Sequence, residues 1–155
     1  MVTMDISKSN SKERLSLYNH LMKKMKFMEE DRIASFKNWQ YSESDKCSVQ
    51  KMAEAGFFYT GHGEDDDSAT CFVCGKVLDG WESNDDPWEE HEKHAPNCRF
   101  VNTHLIQDDY SVEQLFNLAE VVVKAHLTKS FNKKLVSINN TADEVRDIIK
   151  NQSSY

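Results

Sequence analysis

Four residues in the middle of the chain have the types and spacing of a metal site: Cys71-x2-Cys74-x16-His91-x6-Cys98. Three thiolates and one imidazole fill the tetrahedral shell that zinc prefers. Four protein ligands leave no position for water or substrate, so the chemistry expected is structural. Gly75, directly after the Cys-x2-Cys pair, suits the tight knuckle that wraps two thiolates around a metal. The second pair is less determined. His94 also precedes Cys98, and Cys74-x19-His94-x3-Cys98 is acceptable spacing. His91 and His94 lie one turn apart on one helix face, and spacing favours neither. The plain alternative to a metal is a set of buried, reduced thiols. Cys47, the remaining cysteine, reads as an inert small hydrophobe. The N-terminus lacks the apolar core of a secretory signal, so a soluble, intracellular chain without disulfides is expected.

The elements that position these residues follow from where the turns fall. All five glycines and both prolines lie between residues 56 and 96, so the middle of the chain carries the turns. Phe57-Phe58-Tyr59, Thr70 to Val73 and Lys76 to Trp81 read as three short strands, with Gly61, Gly63 and the acidic run from Glu64 turning the chain between the first two. Ser48 and Gly56 bracket a short helix, and Ile33, Phe36 and Trp39 share one face over 31–40. Asp86-Pro87-Trp88-Glu89 is a helix start whose helix carries His91 and stops before Pro96. Residues 1–14 are polar and expected to be disordered, and Leu15, Tyr18, Met22 and Met25 then follow helical spacing.

The last third of the chain has neither glycine nor proline. Ser111 and Gln114 form a capping-box pair. Phe131, Leu135, Ile138, Ala142, Val145 and Ile149 recur as a heptad seam, while Leu115, Leu118, Val122 and Ala125 keep a shifted register. A helix over 111–150 would be about 60 Å long. A 75-residue domain, with a radius of gyration of about 11 Å, cannot cover it, so the seam calls for partner helices. A helix broken near Thr128–Ser130 and folded back is the alternative. The fold class expected is α+β: a small zinc-stapled domain with a three-stranded antiparallel sheet and short helices over 30–104, then one long C-terminal α-helix within 105–155. Residues 1–29 form an N-terminal extension, partly disordered, with a short amphipathic helix.

Charge narrows the function. The net charge is −7 over 155 residues, and between Glu64 and Glu92 eleven acids face the single base Lys76. A nucleic-acid finger would place lysine and arginine around the metal, so direct DNA or RNA binding is excluded, and no apolar run is long enough for a membrane span. The acidity favours a cationic ligand such as a peptide amine; a merely solvated surface is the alternative. No nucleophile–base pairing or phosphate-binding glycine loop is present, so no enzyme is expected.

Arg32-x3-Phe36-x2-Trp39, Met52-Ala53-Glu54-Ala55-Gly56-Phe57, Cys71-Phe72-Val73-Cys74-Gly75, Gly80-Trp81, Asp85-Asp86-Pro87, Glu90-His91 and Cys98 together resemble the baculoviral inhibitor-of-apoptosis repeat, or BIR, over 30–104. A single repeat followed by a long helix resembles the survivin/deterin family. The resemblance selects His91 over His94 as the ligand of one structural zinc ion. It implies a targeting and scaffold subunit of the chromosomal passenger complex, found on chromosomes and centromeres in the nucleus, at the spindle midzone and in the cytoplasm.

By position, the resemblance implies that Asp79 and Asp85 bind the α-amino group of a histone tail beginning Ala-Arg-Thr. Trp81 would wall the alanine pocket, Val77 and Leu78 would pair with the peptide backbone, and Lys76 and His94 would face a phosphorylated threonine. Asp79 stands where the family has a glutamate, one methylene longer. Trp81 as simple core and His94 as a surface histidine are the plain alternatives. The long helix, through Phe131, Leu135, Ile138, Val145 and Ile149, would bundle with helices of borealin and the inner centromere protein, which carry Aurora B kinase. Tyr110, Val112 and Leu115 fall where the family forms a homodimer. The competing implication is an inhibitor of apoptosis that captures caspases or pro-apoptotic peptide N-termini. The amine pocket serves both roles, and the long helix has a purpose only in the scaffold.

Overall fold

The structure, a computed structural model, describes residues 11–63 and 65–152. The expected disorder at residues 1–10 lies outside the described residues. Ser11–Arg14 are not disordered; they form the first turn of helix α1 (Ser11–Lys24). Only the far end of this helix reaches the core. Met22, Met25 and Phe27 are buried, whereas Leu15 and Tyr18 are exposed despite their helical spacing. Two residues past its end, Lys26 turns the chain at φ +56°, which lets Phe27 N–H return to the Met22 carbonyl.

A short helix α2 (Glu29–Ile33) follows. The face expected over 31–40 is helical only at its start; beyond Ile33 the chain runs in turns, which still deliver Phe36 and Trp39 edge to face at 5.0 Å. Helix α3 (Val49–Glu54) begins after Ser48, whose side chain makes no capping bond, and the chain turns away after it at Gly56. At Gly56 φ is +86°, and an added Cβ would stand 2.7 Å from the Phe100 ring, so only glycine fits both the turn and the packing.

The strands are β1 (Phe57–Tyr59), β2 (Ala69–Cys71) and β3 (Val77–Leu78), antiparallel in the order β1-β2-β3. Phe57 pairs with Cys71, and Thr70 with Val77, so the Cys-x2-Cys knuckle is the turn of the second hairpin. The third strand is shorter than the sequence suggested and ends at Leu78. Beyond it the amides of Gly80 and Trp81 bond to the Asp67 carboxylate instead of a neighbouring strand. Helix α4 (Pro87–His94) opens on Asp86, whose Oδ1 accepts from the amides of Trp88 at 2.9 Å and Glu89 at 3.4 Å.

Aromatic rings fill the core. Phe72 meets Phe27 and Phe100 edge on, and Trp88 stacks on Phe100 at 5.4 Å. In their midst lies a charged residue. Arg32 is 1% exposed; its guanidinium donates to the carbonyls of Ala53 (2.9 Å), Phe27 (2.6 Å) and Lys26 (3.2 Å) and sits 4.4 Å over the Phe72 ring. Burial lowers its pKa to about 10, so it stays charged.

Helix α5 (Val112–Gln152) is continuous through Thr128–Ser130. Its first turn carries the reciprocal capping box: Ser111 N–H donates to Gln114 Oε1 and Gln114 N–H to Ser111 Oγ. Residues up to Val122 form one compact unit, in which Leu118 and Val122 are buried in the core and Leu115 packs against it. From Val123 the chain forms a second unit, a helix whose seam residues Phe131, Leu135, Ile138, Val145 and Ile149 are all exposed. No helix among the described residues is long and apolar enough to cross a membrane.

Candidate metal centre and peptide pocket

The second hairpin, α4 and the turn after it bring Cys71, Cys74, His91 and Cys98 together, with all four ligand atoms within 4.8 Å of one another. Two sulfurs 2.3 Å from a tetrahedral zinc stand about 3.8 Å apart, and a sulfur and an imidazole nitrogen about 3.6 Å. Here Cys71 Sγ and Cys98 Sγ are 4.0 Å apart, and Cys74 Sγ lies 3.6 Å from His91 Nε2. The cluster has the dimensions of one structural zinc site before any ion is placed in it.

Local backbone geometry builds the site. Val73 N–H points at Cys71 Sγ (3.3 Å), Cys71 N–H donates to the Lys76 carbonyl (2.9 Å), and Gly75 turns the knuckle at φ +72°. His91 is fully buried. A carbonyl can only accept, so the 2.9 Å contact with Ala55 O fixes the proton on Nδ1 and leaves the Nε2 lone pair for the metal. His94 lies apart, with its Nε2 3.2 Å from a Glu90 carboxylate oxygen, so the ambiguity left by spacing resolves to His91. Cys47 stays outside the cluster as a buried thiol that donates to the Glu82 carbonyl at 3.1 Å; burial pushes its pKa up to about 11.

A second site lies at the end of β3. Leu78, Asp79, Trp81, Asp85 and His94, all expected around a bound peptide, line one pocket of about 70 Å³, completed by Gly80 and Glu90. Trp81 is both core and wall. It is 5% exposed and packs edge on against Phe57 (5.4 Å), while it also borders the pocket. Asp85 Oδ2 accepts from Glu82 N–H at 2.8 Å, which fixes one oxygen of that carboxylate. Three carboxylates thus surround a space sized for a small group.

Other expected residues are placed differently. Lys76 is exposed and does not line the pocket; its carbonyl belongs to the zinc knuckle. Val77 is exposed on β3, at the edge of the sheet. Tyr110 is half-buried, stacked on Phe100 (6.4 Å) and bonded to Thr103 Oγ1 (2.8 Å), whereas Val112 is 71% exposed. Leu115 borders an apolar groove of about 450 Å³ with Tyr18, Met22 and Phe116. Sequence reasoning missed two residues: Asp67, whose carboxylate holds the backbone of Gly80 and Trp81, and Glu90, which engages His94. Both stood among the eleven acids between Glu64 and Glu92, where composition hid their partners.

The family profile described as "BIR: Inhibitor of Apoptosis domain" matches residues 32–102, which contain all four metal ligands. Mouse "Baculoviral IAP repeat-containing protein 5" is 36% identical over 124 residues, covering 80% of this chain and 89% of that protein. "Baculoviral IAP repeat-containing protein 5.2-B" of Xenopus laevis is 33% identical over 115 residues, covering 74% of this chain and 73% of its own length. The chain belongs to the baculoviral inhibitor-of-apoptosis repeat family. It is of the survivin type, and its BIR domain is held by one structural zinc. The zinc links β2, the knuckle and α4, and such sites supply about 10–16 kcal/mol of apparent binding energy that becomes folding energy.

Proposed function

We propose that this BIR protein is a non-catalytic targeting and scaffold subunit of the chromosomal passenger complex, acting in chromosome segregation and cytokinesis. The observation that carries the reading is the pocket in which Asp79, Asp85 and Trp81 meet beside the edge strand Val77–Leu78, whose Val77 is exposed. An α-ammonium group would donate charge-assisted bonds to Asp79 and Asp85, an alanine methyl would face Trp81, and the following residues would add a strand to β3. The chain would thereby read the free Ala-Arg-Thr terminus of a core histone tail. His94 would exchange Glu90 for the phosphate of the threonine, and Lys76 would meet the phosphate from outside the pocket.

The exposed seam at Phe131, Leu135, Ile138, Val145 and Ile149 supports the second half of the reading. It would bundle with helices of borealin and the inner centromere protein, and so bring Aurora B kinase to centromeres and later to the spindle midzone. Exposed Val112 and the groove beside Leu115 support a homodimer through that surface, with Tyr110 at its border, whenever partner helices are absent.

Inhibition of apoptosis is the second reading, favoured by the family description itself. The same pocket would hold the N-terminus of a caspase or of a pro-apoptotic peptide, and the two roles are compatible. The test is a calorimetric titration with Ala-Arg-Thr tail peptides, phosphorylated or not, each with a free or acetylated N-terminus. Binding that requires the free amine and strengthens with phosphate is expected. Equal binding of the acetylated peptide, or loss-free binding by Asp85→Ala, would overturn the pocket assignment.

A further inference from the structure

We propose that Asp67 is a positioning residue of the amine pocket: it sets the pocket's depth, and so its preference for alanine, without touching the peptide. The inference rests on the peptide-reading function proposed above. Asp67 lies in the loop between β1 and β2, and its two carboxylate oxygens take the two amides of the pocket's backbone wall. Oδ1 accepts from Gly80 N–H at 2.7 Å and Oδ2 from Trp81 N–H at 2.8 Å. Charge-assisted bonds made in pairs fix direction as well as distance.

This clamp stands where a sheet ladder would otherwise hold the chain. The third strand ends at Leu78, and Gly80 turns out of the sheet at φ +70°. From there the backbone groups of three consecutive residues rest largely on side chains, with one backbone bond, from Asp85 N–H to the Glu82 carbonyl at 3.0 Å. The Trp81 carbonyl accepts from the Tyr41 hydroxyl, and the Glu82 amide and carbonyl bond to Asp85 and Cys47. Among these, Asp67 alone holds the amides of both Gly80 and Trp81, which line the pocket together. With that clamp released, the Gly80 turn is free to rotate and the Trp81 wall is free to recede.

Charge is the competing explanation, since Asp67 adds to an acidic face. Asp66 controls for it. That carboxylate sits next door but accepts from the amides of His62 (2.7 Å) and Ser68 (3.0 Å), and from neither pocket amide.

The test titrates the zinc-loaded full chain and the variants Asp67→Ala, Asp67→Asn and Asp66→Ala with free-amine peptides beginning Ala-Arg-Thr and Val-Arg-Thr. Zinc content and circular dichroism report folding. In the unaltered chain the alanine peptide should bind better than the valine peptide by at least about tenfold, as a shaped pocket discriminates added methyl groups. In Asp67→Ala that ratio should shrink to within about threefold as the alanine peptide weakens at least about tenfold. Asp67→Asn keeps one acceptor oxygen and should fall between; if Asp67→Ala loses its zinc, the ratio is read on this variant. Asp66→Ala should keep the ratio. An unchanged ratio in the Asp67 variants, or an equal collapse in Asp66→Ala, would overturn the inference. No binding by the unaltered chain would overturn the peptide-reading function itself, a separate outcome that does not depend on the variants.

Discussion

The two units of the chain use similar apolar side chains to opposite ends. Up to Val122 they converge from distant parts of the sequence, with Met22, Phe36, Met52, Phe72, Phe100 and Val122 in one core. From Val123 to Asn151 every described side chain is exposed except the half-buried His126 and Ala142. The first unit closes on itself through long-range ties: the metal ligands join Cys71 to Cys98, and Arg32 joins the exit of α1 to α3. Among the described residues the second shows its own backbone ladder, hydroxyls bonded back one turn such as Thr128 to the Lys124 carbonyl, and local ion pairs such as Arg146 with Asp143 and Lys150 with Asp147. Exposed pairs of that kind are worth roughly 0–1 kcal/mol. The contrast separates a unit with a core of its own from one whose apolar stripe is left exposed.

Breaking the first unit should have the largest effect. Cys74→Ala removes one of four ligands, and the expected outcome is loss of zinc and of the near-ultraviolet circular dichroism of the aromatic core. A cooperative, zinc-free variant with a native spectrum would refute the staple. Arg32→Ala should come next. It strands the Phe27 carbonyl in the core, takes a donor from the carbonyls of Ala53 and Lys26, and removes the ring partner of Phe72, at an expected cost of about 3 kcal/mol or more in denaturant unfolding. Arg32→Lys should not restore it, because an ammonium cannot span the same planar fork. Asp85→Ala should abolish capture of a free-amine tail peptide in calorimetry while moving the thermal midpoint little.

The smallest stability effect is expected on the long helix. Ile138→Asp lies on the exposed seam and should change unfolding of the zinc unit by less than about 0.5 kcal/mol. The same substitution should prevent co-purification with the partner helices proposed for this seam. A large drop in the midpoint would mean that the seam is already covered in the lone chain.

Local chemistry was the legible part of this sequence. The metal ligands, the Asp86 cap, the Ser111–Gln114 box and the Gly56 turn each depend on residues close along the chain or on a distinctive donor set, and each is present. The change of register in the last third was legible too, although its cause was not. Val122 is packed in the core of the first unit, and Phe131 is exposed on the second, so the two apolar sets serve different surroundings.

Long-range side-chain bonds were the illegible part. The strand expected from Lys76 to Trp81 stops at Leu78 because Asp67, distant in sequence, takes the amides that a ladder would have used. The face over 31–40 looked helical from its period alone, yet turns place Phe36 and Trp39 equally well. Arg32 was visible as part of a family motif, but no pattern announces that an arginine is the buried tie between two helices.

The division between the units is tested most directly by residue-resolved amide hydrogen exchange on the full chain, dilute enough to be monomeric, before and after a zinc chelator. With zinc bound, amides of Met52, Phe72 and Val101 should be strongly protected, and those from Phe131 to Ile149 only weakly. The chelator should abolish protection in the first group and leave the second unchanged. Strong protection from Phe131 to Ile149 in the lone chain, or its loss together with the zinc, would contradict the account.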